Sequence, residues 1–161
     1  MSIADRILRV KSSLPGQVEL VAVSKTYPAQ RIMEAYEAGQ RIFGENRPQE
    51  MAQKYEELPK DIEWHLIGHL QTNKIKKVLG RASLIQSVDS EHLLLAIEKE
   101  AAKAGIVQDI LLEVNIGGEE SKTGAAPELL WPLLDTAAAQ EHIRVKGLCL
   151  LYTSPSPRDC S

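Results

Sequence analysis

The sequence has few cysteines and no long apolar stretch. Its 161 residues include two cysteines, Cys149 and Cys160, too few for the disulfide framework of a small secreted domain. We therefore expect reduced thiols. The N-terminus begins an amphipathic pattern instead of a signal peptide, and no apolar run approaches the length that crosses a bilayer. These absences exclude secreted and membrane-spanning classes and predict a cytoplasmic protein.

An excess of charge of one sign is also absent. Lysine and arginine total 19 against 22 aspartate and glutamate, which gives a formal net charge of −3, and no long basic run occurs. Because binding to nucleic acid or to a membrane surface needs a basic patch, we expect neither partner. What the chain does have is 43% hydrophobic residues, enough to fill the core of one domain.

Short apolar runs alternate with helical patterns along the chain. Segments with apolar residues three or four positions apart, the spacing of a helix face, precede the first run and separate the later ones. One pattern, at about 127–140, contains Pro132, which either kinks the helix or lies in its first turn. The six runs that predict buried β-strands lie at residues 18–25, 41–46, 63–68, 84–88, 109–116 and 145–152.

This alternation predicts a parallel sheet with helices outside, either doubly wound or a barrel. The even spacing and the leading helix favour the barrel, but only about six units fit into the 161 residues, and a closed barrel needs eight strands. We therefore expect the α/β class, as an incomplete (β/α)8 TIM barrel with about six parallel strands and a leading N-terminal helix. Its two bare sheet edges predict self-association.

Two polar residues end the first two predicted strands, where sites of parallel α/β folds lie. Lys25 follows the apolar residues 21–23. Most lysines are solvated, but one held against apolar neighbours is more easily neutral, and its amine can attack an aldehyde to form a Schiff base. Asn46 ends the second strand. It is also a good N-cap for the helix that follows, and both roles are compatible.

Two further motifs carry weaker signals. His65 and His69 are four residues apart but straddle a strand and a loop with no third ligand nearby, so we expect no metal. Residues 117–124 (GGEESKTG) suggest a phosphate loop, yet glycines are missing where that motif needs them. We interpret the stretch as a flexible loop that carries Lys122 toward the same end of the sheet as Lys25.

Five motifs, in order along the chain, together resemble one family. They are AVSKTYP around Lys25, FGENRPQE around Asn46, WHLIGHLQTNK around His65, SVDS at 87–90 and VNIGGEESKTG at 114–124. They closely resemble the pyridoxal phosphate homeostasis proteins, the YggS/PROSC family. The resemblance implies a barrel like the N-terminal domain of alanine racemase and a pyridoxal 5′-phosphate aldimine on Lys25, with Asn46 lining the cofactor site. It also implies a role in vitamin B6 balance without catalytic turnover.

The resemblance stops near Leu148, and the family's phosphate-binding motifs have no counterpart in the residues that follow. We expect a domain at 1–150, an unstructured tail at 151–161 and weak cofactor binding, with Lys25, Asn46 and Lys122 as cofactor-binding residues and no catalytic residue. Two alternatives stay open. One is a racemase-like enzyme dependent on the same cofactor, which would need a second acid or base. The other is a non-functional fragment.

Overall fold

In a computed structural model, the chain forms one parallel sheet whose strands are connected by helices. The structure describes residues 2–117 and 123–152. The strands are β1 (Ala22–Val23), β2 (Ile42–Glu45), β3 (Glu63–Leu66), β4 (Ala82–Val88), β5 (Gln108–Asn115) and β6 (Ile143–Leu151). The α-helices are α1 (Ile3–Ser13), α2 (Ala29–Glu37), α3 (Pro48–Glu57), α4 (Ile75–Val78), α5 (Glu91–Ala104) and α6 (Leu130–Ala138).

The strand order decides between the two predicted architectures. The six strands lie in the order β1-β2-β3-β4-β5-β6 and every neighbouring pair is parallel. A doubly wound sheet reverses its strand order, whereas a barrel wall continues in one direction. Within the described residues, β1 pairs only with β2 and β6 only with β5. The predicted incomplete barrel with six strands and a leading helix is confirmed.

The core lies between the sheet and the helices. Phe43 and Trp64 are partners in the β2–β3 register, both are buried, and their ring centroids are 5.9 Å apart. Leu66, Ile85 and Ile110 continue this buried layer across the next strands. Because interiors are close-packed, this layer holds the strands in fixed positions against the helices.

Pro132 lies in the first turn of α6, as the third residue of Leu130–Ala138. Of the two positions that the sequence left open, this is the first-turn position, where proline is tolerated because the first N–H groups of an α-helix have no partner within that helix. A short 3-10 helix, Pro127–Leu129, leads into α6. None of the helices among the described residues has the length and apolar character to cross a membrane.

The first strand corrects the sequence prediction most strongly. It was expected to be buried on both faces over residues 18–25, but β1 is only Ala22–Val23 and Val23 is 48% exposed. The reason is its position at the edge of the sheet, where only one neighbour covers it.

The last strand, β6, covers Ile143–Leu151, close to the predicted strand at 145–152. Cys149 is buried in β6. Residues 153–161, most of the predicted tail, lie outside the described residues.

Candidate functional site

Lys25 and Asn46 lie side by side at the carboxyl ends of β1 and β2. The register pairs Val23 with Gly44, and the Ser24 N–H donates to the Gly44 carbonyl oxygen at 2.9 Å, so the pairing continues beyond the strand. Two residues further along, the same register brings Lys25 beside Asn46. Both side chains are half-buried. The structure therefore brings together two of the three residues that the sequence selected.

The side chains of Lys25 and Asn46 make no hydrogen bond, ion pair or ring contact among the residues that the structure describes. The N-cap of α3 is Arg47 and no side chain caps that helix, so the predicted capping role of Asn46 is wrong. Both side chains are therefore free to contact a ligand at the ends of the strands.

The end of β3 approaches Asn46 closely. A Cβ added at Gly68 would lie 2.3 Å from the Asn46 carbonyl oxygen, a distance that two non-bonded atoms cannot adopt. Only glycine fits there without moving the backbone. The backbone of Asn46 is therefore held close to the segment that follows β3, while its side chain makes no polar contact with the described residues.

Lys25 occupies the second position of a four-residue turn. The Tyr27 N–H donates to the Ser24 carbonyl oxygen at 3.1 Å, which closes the turn. Its third residue, Thr26, has φ of 66°, and no other described non-glycine residue has a positive φ. A β-branched residue in this conformation costs about 1–3 kcal/mol and persists only where its surroundings enforce it.

A buried lysine on α3 bonds to this turn. Lys54 Nζ donates to the Ser24 carbonyl oxygen at 2.8 Å, to Glu45 Oε2 at 2.8 Å and to Glu50 Oε2 at 3.1 Å. The Ser24 hydroxyl also donates to Glu45, and the Thr26 N–H donates to Glu50 at 2.9 Å. We call Ser24, Glu45, Glu50 and Lys54 the α3 network.

The two carboxyl groups of the α3 network differ in their pKa. Burial raises the pKa of Glu45, and the hydrogen bonds from Lys54 and Ser24 offset part of that rise. Burial acts in the same direction on Glu50, but the hydrogen bonds from Lys54 and the Thr26 N–H outweigh it and lower the pKa. Glu50 is thus held as a carboxylate beside the Lys54 ammonium.

The sequence analysis missed the α3 network. One signal was present, because Lys54 lies three residues after Met51 and four before Leu58, on the apolar stripe of α3. Met51, Leu58 and Lys54 are indeed all buried. A lysine on such a stripe needs a buried counter-charge, but local spacing does not show which residue supplies it.

The two histidines of the third motif differ in their surroundings. His65, in β3, is buried, and its Nδ1 is 2.9 Å from Gln86 Nε2. Burial lowers the pKa of His65, which favours the neutral ring. His69 lies beyond the strand and is exposed. Across the described ranges 2–117 and 123–152, no three His, Cys, Asp or Glu side chains are grouped so that they could hold a metal ion.

A second polar cluster flanks the predicted rim loop. Glu113 of β5 is buried and accepts a hydrogen bond from the Thr123 hydroxyl at 2.8 Å, and Asp89 accepts from the Gly124 N–H at 3.0 Å. Burial raises the pKa of Glu113, and the nearby Asp89 adds to the rise. Lys122, the third predicted site residue, lies outside the described residues.

Comparison with known proteins places this site in context. Residues 1–154 match the family model described as alanine racemase, N-terminal domain. The pyridoxal phosphate homeostasis protein of Aquifex aeolicus is 47% identical over 131 residues, which are 81% of this chain and 58% of that protein. Its counterpart from Schizosaccharomyces pombe is 38% identical over 143 residues, 87% of this chain and 60% of that protein. The chain thus spans about three fifths of the length of these curated relatives.

Solved structures agree with the fold. PipY of Synechococcus elongatus PCC7942 with PLP bound superposes with a TM-score of 0.87 at 37% identity, covering 96% of this chain and 73% of PipY. PipY without PLP superposes with a TM-score of 0.90 at 38% identity, covering 95% of this chain and 73% of PipY. Alanine racemase from E. faecalis gives 0.79 at 14% identity over 94% of this chain and 42% of the racemase, a likeness of fold alone.

Proposed function

Since the chain belongs to the alanine racemase N-terminal domain family and its curated relatives are pyridoxal phosphate homeostasis proteins, we propose that it binds pyridoxal 5′-phosphate through Lys25 and acts in cytoplasmic vitamin B6 homeostasis. The observation that carries the proposal is the position of Lys25, a half-buried residue at a strand end beside Asn46, where neither side chain has a polar partner among the described residues.

The residues at the strand ends suit this cofactor. Bound pyridoxal 5′-phosphate supplies an aldehyde, an electrophile that a neutral lysine amine attacks. Lys25 would hold the cofactor through its nitrogen, and the aldehyde would supply the carbon for a C=N bond, with water as the other product, so that attachment would be reversible by hydrolysis. The Asn46 amide has two donor hydrogens and one acceptor oxygen for polar groups of the cofactor. Lys122 remains our proposal for a further contact.

We propose a carrier without catalytic turnover. Its relatives from Aquifex aeolicus and Schizosaccharomyces pombe are named homeostasis proteins and not enzymes, and the alanine racemase likeness concerns the fold only. With added pyridoxal 5′-phosphate and L-alanine, the purified chain is expected to form no D-alanine above the rate of the free cofactor. Racemisation that disappears in Lys25→Ala would instead assign an enzyme.

The attachment site is tested by chemical trapping. The purified chain is incubated with pyridoxal 5′-phosphate, and borohydride reduces the C=N bond to a stable secondary amine that peptide mass spectrometry locates. We expect the adduct at Lys25 and its loss in Lys25→Ala. Lys77→Ala is the matched control, because Lys77 is also half-buried but lies on α4 and not at a strand end. Labelling spread evenly over exposed lysines would refute the site.

The open sheet supports a further part of the proposal, self-association. Within the described residues each outer strand has one partner, and apolar side chains at both edges are exposed, Val23 by 48% and Leu148 by 38%. Unpaired edges of this kind pair readily with other chains. Light scattering after size exclusion should show a mass that grows with protein concentration. A constant monomer mass would contradict this part.

A further inference from the structure

Lys25 lies between two residues that α3 holds. The Ser24 carbonyl oxygen accepts a hydrogen bond from Lys54 Nζ at 2.8 Å, and the Thr26 N–H donates to Glu50 Oε2 at 2.9 Å. Lys54 and Glu50 are joined to each other at 3.1 Å. One helix therefore fixes the backbone immediately before and immediately after Lys25.

The conformation of the turn depends on such contacts. Thr26 has φ of 66°, a region that β-branched residues avoid unless their surroundings impose it. The Lys54 side chain is only 8% exposed, and its three hydrogens are all used by Ser24, Glu45 and Glu50. Because all three of its hydrogens are bonded, the Lys54 ammonium group is held in one position, and the turn is bonded to it through the Ser24 carbonyl oxygen.

We infer that Lys54 is a positioning residue for the Lys25 amine and acts through the turn at residues 24–27. The inference rests on the proposed function, because it concerns how Lys25 meets the cofactor aldehyde. Lys54 fixes the position of the Ser24 carbonyl group directly, and it fixes that of the Thr26 N–H through Glu50. Helix α3 therefore determines the direction in which the Lys25 side chain leaves the backbone. An amine already held in a productive direction reacts faster than one that must be ordered first.

The test compares rates of attachment within one sample. Folded protein, checked by circular dichroism, is mixed with pyridoxal 5′-phosphate and trapped with borohydride at successive times, and labelling is counted at Lys25 and at the exposed Lys99. Glu50→Ala removes the acceptor of the Thr26 N–H and is expected to lower the Lys25 rate about tenfold. Lys54→Met should lower it at least as much. The Lys99 rate should not change.

Two variants separate positioning from a merely structural role. Glu50→Gln keeps an oxygen that accepts from the Thr26 N–H, so it should restore most of the Lys25 rate. Glu98→Ala is the matched control, since Glu98 of α5 also accepts backbone N–H groups, including that of His142 at 2.8 Å, outside the α3 network. It should lower stability and leave the Lys25 rate unchanged.

The outcomes distinguish this inference from the function on which it rests. If the wild-type chain shows no preference for Lys25 over Lys99, the proposed attachment site is wrong. If that preference is present but persists at the same rate in folded Glu50→Ala, then positioning by α3 is wrong while the attachment site stands. Glu50→Ala decides this point even if Lys54→Met does not fold, because it leaves Lys54 bonded to Ser24 and Glu45.

Discussion

Glu45 and Glu113 are two buried glutamates on the same sheet, and their hydrogen-bond partners differ in charge. Each accepts a hydrogen bond from a hydroxyl group, of Ser24 and of Thr123 respectively, and burial raises the pKa of both. Glu45 also has the Lys54 ammonium at 2.8 Å. Burial thus raises the pKa of a carboxyl group both beside a buried cation and beside a neutral hydroxyl.

The difference divides the site into two regions. Around Glu45, cation and carboxylates hold the Lys25 turn in a network whose members depend on one another. Around Glu113, a neutral hydroxyl is the hydrogen-bond partner and Asp89 disfavours the charged form. We therefore expect stability to depend on pH in both regions, and the first region to respond in addition to the removal of its buried cation.

Removing the buried cation should have the largest effect. Lys54→Ala leaves Glu45 buried without its counter-charge, and breaking a buried pair in this way costs about 3–5 kcal/mol of unfolding free energy. Urea denaturation followed by circular dichroism measures the loss as a lower midpoint. A loss below about 1 kcal/mol, the range of surface ion pairs, would remove the distinction between the two regions.

The second effect concerns the backbone next to Glu113. Gly124 has φ of 106°, and an added Cβ would lie 2.9 Å from Asn115 Cβ and 3.0 Å from Asn115 N. Gly124→Ala combines an unfavourable conformation with a steric clash, so we expect a loss of about 2 kcal/mol, again from urea denaturation. Gly16→Ala is the control, because nothing lies within 4 Å of a Cβ there, and it should change stability little.

The third prediction uses pH. Because the pKa of Glu113 is raised in the folded state, the folded chain holds this proton where the unfolded chain has lost it. Stability therefore falls as pH rises from the ordinary glutamate pKa to the raised one, and it stays lower above that. Glu113→Gln removes this penalty and should stabilise the chain at pH 7 by about 1 kcal/mol, with no gain at low pH.

The control for that experiment is the other glutamate. Glu45→Gln also removes a carboxyl group with a raised pKa, but it weakens the interaction with the Lys54 ammonium, so its gain at pH 7 should be smaller than that of Glu113→Gln. Unfolding free energies of both variants across the pH range give the comparison directly. Equal gains for Glu45→Gln and Glu113→Gln at pH 7 would show that the Lys54 ammonium does not distinguish the two regions.

The smallest expected effect is at the strained turn. Thr26→Gly relieves the positive φ of 66°, and the greater freedom of glycine in the unfolded chain cancels part of the gain, so we expect a stabilisation of about 0.5 kcal/mol. Thermal unfolding measures it as a slightly higher Tm. A clear loss of stability would mean that the Thr26 side chain contributes more than its backbone strain costs.

Much of the fold could be predicted from local patterns. Six strands, the leading helix and Lys25 beside Asn46 at neighbouring strand ends all follow from runs and spacings within short segments. The two-residue length of β1 could not be predicted in this way, because an apolar run such as 18–25 has the same pattern at the edge of a sheet as at its centre. The capping role of Asn46 was wrong for a related reason, since helix α3 begins one residue later than the pattern suggested.

By itself the sequence determined the family, the βα rhythm and the position of Lys25 at the end of a strand, because motifs and periodicity are properties of neighbouring residues. Only the tertiary structure decided that Lys54 is buried against Ser24, 30 residues away, that Glu45 has a counter-charge, and that Thr26 has a positive φ. The physical reason is that the energy of a charge depends on its burial and on its partners in space. Neither is set until β1, β2 and α3 pack together.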